Sequence, residues 1–188
     1  MATSAVLMQE EAPTPVFVPV EVYLTSSYHP DCEYVDGEVQ ERHVGETPHS
    51  AVQKFFTIFF AAREKAWGVR VLPEDRVQIS EHRYRVPDLC VVLRSTKFER
   101  IIKTPPLICI EVLSPEDRMS RTQEKVDDFI RMGVKSVWVI DPRRRCVWIA
   151  SGSVTLQPVS DFLTVEGTEI RVPVAEIFSE LDELEAME

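Results

Sequence analysis

The hydrophobic pattern changes period several times along the chain. Residues 1–18 are rich in Ala, Pro and Glu with no period, which predicts a mobile N-terminal arm. Residues 20–25 fit a short helix. Residues 32–35 and 38–42 flank Asp36-Gly37, a pair that supplies the positive φ of a tight primed turn, so a β-hairpin is predicted. A helix follows, opened by Thr47 and Pro48 as N-cap and N1 and closed by Gly68. Its Val52, Phe55, Phe56, Phe59, Phe60 and Ala62 recur at helical spacing and read as core rather than as a cofactor box.

Strand-like runs come next at 69–72, 77–80, 84–93 and 107–113, the last interrupted by one acid. A second helix is predicted over 118–132. Val126, Phe129 and Ile130 share one face, Gly133 stands at its end, and Ser120 with Gln123 has capping-box spacing. Residues 136–140 and 146–150 predict a hairpin across 142–145, and 154–158 and 170–172 predict short strands. A short helix and an acidic tail follow from Val174. A strand-rich centre, with one helix before it and one crossing over after Glu111, implies an α/β or α+β fold around a mixed sheet. The 188 residues, 44% of them hydrophobic, suffice for one core. One domain over 19–178 and an acidic tail over 179–188 are expected.

Composition narrows the setting. Cys32, Cys90, Cys109 and Cys146 are widely spaced, with no CxxC pair and no His in zinc-finger spacing. Cys90 and Cys109 lie in apolar runs, so buried free thiols and a reducing cytoplasm are expected. No signal-peptide pattern is present, and no apolar run approaches the roughly 18 residues of a membrane span. The net charge of −10 disfavours a nucleic-acid binder until it is divided along the chain. Residues 1–48 hold nine acids and one base, Arg42, and residues 176–188 hold six acids and no base. The stretch 49–175 therefore carries +4, and the objection to a phosphate ligand weakens.

Two acids interrupt that stretch's apolar strands: Asp88 near the start of one and Glu111 near the end of the next. A carboxylate in a buried strand is costly unless paired or metal-bound. If the strands are antiparallel neighbours, the two carboxylates come side by side. Their repulsion would be relieved by a divalent cation such as Mg²⁺, which suits carboxylate oxygens. Lys125, at the edge of the buried helix face, could aim an ammonium at the pair, orienting a water or stabilising a pentacovalent phosphate. The plainer alternatives are a turn-satisfied Asp88, a Glu111 paired with a buried Arg, and a solvated Lys125.

Other candidates stand around this set. His49 lies in the first turn of the long helix, one turn from Gln53. Glu33 and Asp36 read as turn and surface acids, with a third metal-site carboxylate as the option. Arg94, Lys97, Arg100 and Lys103 line the loop between the acid strands, and Arg143, Arg144 and Arg145 form a hairpin tip; both suit backbone phosphate. Asp127-Asp128 reads as solvent face.

The stretches Glu33-Tyr34-Val35-Asp36-Gly37-Glu38, Val86-Pro87-Asp88-Leu89, Ile110-Glu111-Val112-Leu113-Ser114-Pro115, Lys125, Phe129, Met132-Gly133-Val134 and Val137-Trp138-Val139-Ile140-Asp141-Pro142 resemble the Uma-two family. These are endonucleases of the PD-(D/E)XK, restriction-endonuclease-like fold. The resemblance runs from about residue 20 to 178. It implies a mixed β-sheet flanked by helices, Mg²⁺ or Mn²⁺ held by Asp88 and Glu111, Lys125 as the catalytic lysine, and a homodimer acting on DNA. His49 matches a histidine on the family's first helix, and Glu33 is a further accessory candidate. The superfamily lysine would stand two residues after Glu111, where Leu113 is; the resemblance places it on the helix, at Lys125. The function expected is metal-dependent hydrolysis of DNA phosphodiesters in the cytoplasm, with no membrane partner. The alternatives are a non-catalytic nuclease-fold binding protein, or a metal-dependent hydrolase of another phosphoester.

Overall fold

A computed structural model describes residues 17–43 and 45–187. The expectation of an arm over 1–18 therefore lies outside the described residues as far as residue 16. Val18 is docked: its N–H donates to the Gly37 carbonyl, and its own carbonyl accepts from Tyr34 Oη. Helix α1 (Val20–Thr25) leads into the hairpin β1 (Cys32–Val35) and β2 (Glu38–Glu41). Asp36 and Gly37 take φ of 51° and 102°, the pair of positive values that a primed turn needs.

Helix α2 (Thr47–Ala61) has Glu46, not Thr47, at its N-cap, with Pro48 in its first turn. It stops before Gly68 because Arg63 folds back. The guanidinium lies 3.8 Å over the Phe59 ring, and Nη1 donates to the Phe59 carbonyl at 3.0 Å. One turn of helix, α3 (Glu64–Trp67), then ends at Gly68 with φ 64°. Strands β3 (Val69–Pro73) and β4 (Val77–Ser80) follow. The run 84–93, expected as one strand, is two: β5 (Arg83–Arg85) and β6 (Leu89–Leu93). Pro87 has no N–H to give a ladder, and the chain passes there from one sheet to another.

After β7 (Ile108–Val112), helix α4 (Met119–Met132) starts from Arg118 and ends at Gly133. The predicted capping box does not form; Gln123 Nε2 donates to Asp127 and to the Val154 carbonyl. Next come β8 (Ser136–Asp141), β9 (Cys146–Ala150), β10 (Gln157–Pro158), β11 (Phe162–Thr164), β12 (Arg171–Pro173), α5 (Val174–Ile177) and α6 (Ser179–Glu185). The sequence pattern does not announce β11. Helix α6 occupies the acidic stretch and packs on α2, with Leu181 buried. No helix among the described residues is long and apolar enough to cross a membrane.

A four-stranded sheet runs β2-β1-β5-β4 and a six-stranded sheet runs β10-β9-β8-β7-β6-β3. Within the larger one β7 and β8 are parallel, joined by the α4 crossover, and its other pairs are antiparallel. This is the expected mixed sheet flanked by helices. Side chains alternate across it. Leu89, Val91, Ile108 and Ile110 pack with Val52, Phe56 and Phe60 of α2, whereas Cys90, Val92 and Cys109 pack with Val126 and Phe129 of α4. By the same alternation Asp88 and Glu111 fall on the α4 side.

Candidate active site

The β6–β7 ladder pairs Leu89 with Ile110, so Asp88 and Glu111 occupy the next opposing position at the open end of the hairpin. Asp88 is 3% and Glu111 6% exposed. The backbone N–H of Val112 donates to Asp88 Oδ2 at 2.7 Å, and His49 Nε2 lies 3.3 Å from the same oxygen. Asp88 Oδ1 takes Arg42 Nη2 at 2.5 Å. Gln53, one turn beyond His49, donates to the Asp88 carbonyl at 3.3 Å. A β-carbon on Gly45 would come within 2.6 Å of His49 Nδ1, so glycine leaves room for the imidazole.

Lys125 reaches this cluster from α4. Its Nζ donates to Glu111 Oε2 at 3.0 Å and lies 3.1 Å from Glu33 Oε1. Neither a buried Arg partner for Glu111 nor a solvated Lys125 is found. Glu33 is wholly buried, so it is no surface acid, whereas Asp36 is exposed in the turn and pairs with Arg83. The remaining oxygen, Glu111 Oε1, is buried and has no hydrogen-bond partner among the described residues.

Burial dominates the electrostatics of this set. It pushes the Glu111 carboxyl up to about 7, with Asp88 and Glu33 adding to the rise and Lys125 opposing it. For Asp88, burial is outweighed by His49, Arg42 and Lys125, and the carboxyl is held below its ordinary range. Glu33 is likewise held low, because Lys125, Arg85 and the Val86 N–H outweigh burial. Burial works against the Lys125 ammonium, but the charges of Glu111, Glu33 and Asp88 hold its pKa above the ordinary value. His49 is raised because Asp88 outweighs burial.

An opening of about 30 Å³ leads to these groups, lined by Arg42, His43, Asp117 and Arg121 besides the acids and Lys125. It has room for water or an ion. A larger groove of about 640 Å³, lined in part by Arg76, Arg100 and Lys103, contains neither Asp88 nor Glu111. Size alone would choose that groove; the buried carboxylates single out the smaller opening.

The basic loop joins the far ends of β6 and β7, so Arg94 and Lys97 lie about 16 Å or more along β6 from Asp88, whereas Ile102 folds back to pair with Val77. Arg94 lies there beside Glu64 at 3.6 Å, and Lys97 is exposed. Arg100 and Lys103 line the larger groove, whose lining also includes Glu74 and Val86, partners of Arg42 and Glu33. At the hairpin tip, Arg143 Nη2 donates to the Pro115 carbonyl at 3.4 Å, on the site side, while Arg144 is exposed near Asp141. Arg145 pairs with Asp182 and Glu185 of α6.

Asp128 is also corrected. It is 4% exposed and accepts from Arg85 Nε and Arg83 Nη1, both at 2.8 Å. Sequence reasoning missed Arg42, although its standing as the only Lys or Arg among the first 48 residues was a usable signal.

The match to known proteins is consistent with this geometry. Residues 21–174 match the Uma2 family model, described as "Putative restriction endonuclease". The crystal structure of a "putative nuclease belonging to DUF820" from Anabaena variabilis ATCC 29413 superposes with a TM-score of 0.76 at 20% identity, covering 90% of this chain and 99% of that one. At that identity the likeness shows the fold. No curated protein matches the chain.

Proposed function

The chain belongs to the Uma2 family of restriction-endonuclease-like proteins, and on that premise we propose that it is a metal-dependent endonuclease hydrolysing DNA phosphodiester bonds. The observation that carries this reading is Glu111 Oε1, a buried carboxylate oxygen without a partner among the described residues, on a residue that with Asp88 lines an ion-sized opening. An all-oxygen donor pair suits Mg²⁺ or Mn²⁺. Among the described residues no group of three or more His, Cys, Asp and Glu could hold a metal ion. Asp88 and Glu111 would therefore hold it with water completing the shell, as Mg²⁺ prefers. When bound, the ion supplies Lewis-acid stabilisation of the phosphoryl oxygens.

The chain's own residues do the rest. Lys125, held between Glu111 and Glu33, would act as a cation that orients a water or offsets phosphate charge. Val112 N–H and His49 fix the orientation of Asp88. With only +4 on the stretch that carries the site, DNA affinity is expected to be weak and salt-sensitive. The same proposal includes a homodimer, checked by sedimentation, and a reducing cytoplasm, in keeping with four free cysteines.

Supercoiled DNA incubated with Mg²⁺ or Mn²⁺ is expected to be cleaved. Asp88→Ala, Glu111→Ala and Lys125→Ala should each slow cleavage by about 100-fold or more. Unchanged rates in all three would overturn the assignment. The ion pair between Arg42 and Asp88 favours a second reading, a nuclease-fold protein that binds without cleaving. Calorimetry separates the two, since that reading requires no divalent-metal binding. RNA and nucleotides in the substrate panel test for another phosphoester.

A further inference from the structure

Arg42 has a place in this site that the proposed hydrolysis does not use. It follows β2, and its side chain is only 13% exposed. Its Nη2 lies 2.5 Å from Asp88 Oδ1, while Nη1 is 3.5 Å from Glu74 Oε1. The other Asp88 oxygen is already engaged by Val112 N–H and His49. The carboxylate oxygens left for a cation are therefore Asp88 Oδ1, which Arg42 engages, and Glu111 Oε1, which is buried without a hydrogen-bond partner among the described residues. A divalent ion and a guanidinium cannot share Oδ1, because the two positive charges would repel at contact distance in a partly dry site.

We propose that Arg42 is the site's resident counter-ion and that a divalent cation displaces it from Asp88 on binding. This rests on the metal-dependent reading above. Without the ion, the guanidinium offsets the repulsion between Asp88 and Glu111, which lets two acids stay buried side by side. With the ion, that task passes to the metal. Glu74 gives the departing guanidinium somewhere to go: it is already the second partner, and its side chain is 50% exposed at the rim. Metal affinity is then an exchange equilibrium, set by the difference between the ion and Arg42 as partners for Asp88.

The test is calorimetric titration of the full chain with Mn²⁺. Arg42→Gln is expected to bind about tenfold more tightly than the wild type, the lower end of what a close charge pair contributes. Arg121→Gln is the control: Arg121 lines the same opening but bonds to Gln40 and the Glu41 carbonyl rather than to the acids. It should change affinity by less than about threefold, as a charge acting only through the screened field. Affinity unchanged or weakened in Arg42→Gln overturns the inference, as does an equal gain in Arg121→Gln. If the wild type binds Mn²⁺ and Arg42→Gln binds no better, only this inference fails. If neither binds while both remain folded by circular dichroism, the metal-dependent reading fails with it. Arg42→Met, which keeps the apolar stem, repeats the measurement should the Gln variant not fold.

Discussion

Two buried charge clusters meet at Glu33 and differ in how completely their atoms are partnered. Around Arg85, which is fully buried, Nε donates to Asp128, Nη1 to Glu33 and Nη2 to Glu124, at 2.8, 2.9 and 3.0 Å. Glu33 also accepts from the Val86 N–H and meets Lys125, and Asp128 also accepts from Arg83. In the second cluster Asp88 and Glu111 are nearly as buried, yet Glu111 Oε1 has no partner among the described residues and the two acids line a small opening. Burial is common to both, so burial does not identify a working site. The first cluster satisfies its own charges and ties the small sheet to α4. The second keeps a donor oxygen in reserve, which is what an incoming ligand can use.

The contrast is testable, beginning with the largest effect. Arg85→Met leaves buried Glu33 with Lys125 alone and buried Asp128 with Arg83 alone, and should cost about 3–5 kcal/mol, seen as a large fall in Tm. If Tm falls by only a few degrees, the Arg85 cluster is not the internal brace described here.

Glu33→Gln removes one carboxylate but keeps the shape, and about 2–3 kcal/mol should be lost at neutral pH. Because the folded protein holds the Glu33 pKa below its ordinary 4.5, its contribution is complete above that value and is lost as pH falls through the lowered one. Wild-type Tm should therefore decline more steeply below pH 4.5 than that of Glu33→Gln. Parallel curves would show that Glu33 is not the acid-sensitive member.

Glu111→Gln belongs to the other cluster and should behave in the opposite way. It removes a buried charge with an idle oxygen, so stability should change by less than about 1 kcal/mol while cleavage falls by about 100-fold or more. A loss of stability as large as that of Arg85→Met would erase the distinction. The smallest effect is expected at Lys54→Ala. This breaks the exposed pair with Glu180 and should cost about 0.5 kcal/mol or less by denaturant titration.

The sequence by itself determined the α+β class, the hairpin at Asp36-Gly37, both principal helices and the acids Asp88 and Glu111. Each is a local property, a period or a charge standing inside an apolar run. Antiparallel pairing of the two acid strands was a condition that the sequence left open and the β6–β7 ladder meets. Tertiary structure alone decided which charges are matched. Asp128 looks like its neighbour Asp127 along the helix, and only its partners Arg85 and Arg83, 43 and 45 residues away, make it internal. Arg42 and Asp88 are 46 residues apart, and Glu33 and Arg85 are 52 apart. The far ends of the acid hairpin likewise carry Arg94 and Lys97 away from the site. Periodicity reports which face of an element is buried, because that depends on the element's own geometry. The partner of a buried charge depends on how separate elements stack, and the packing of α4 and the first hairpin against the sheet buries Glu111 Oε1 without a partner among the described residues.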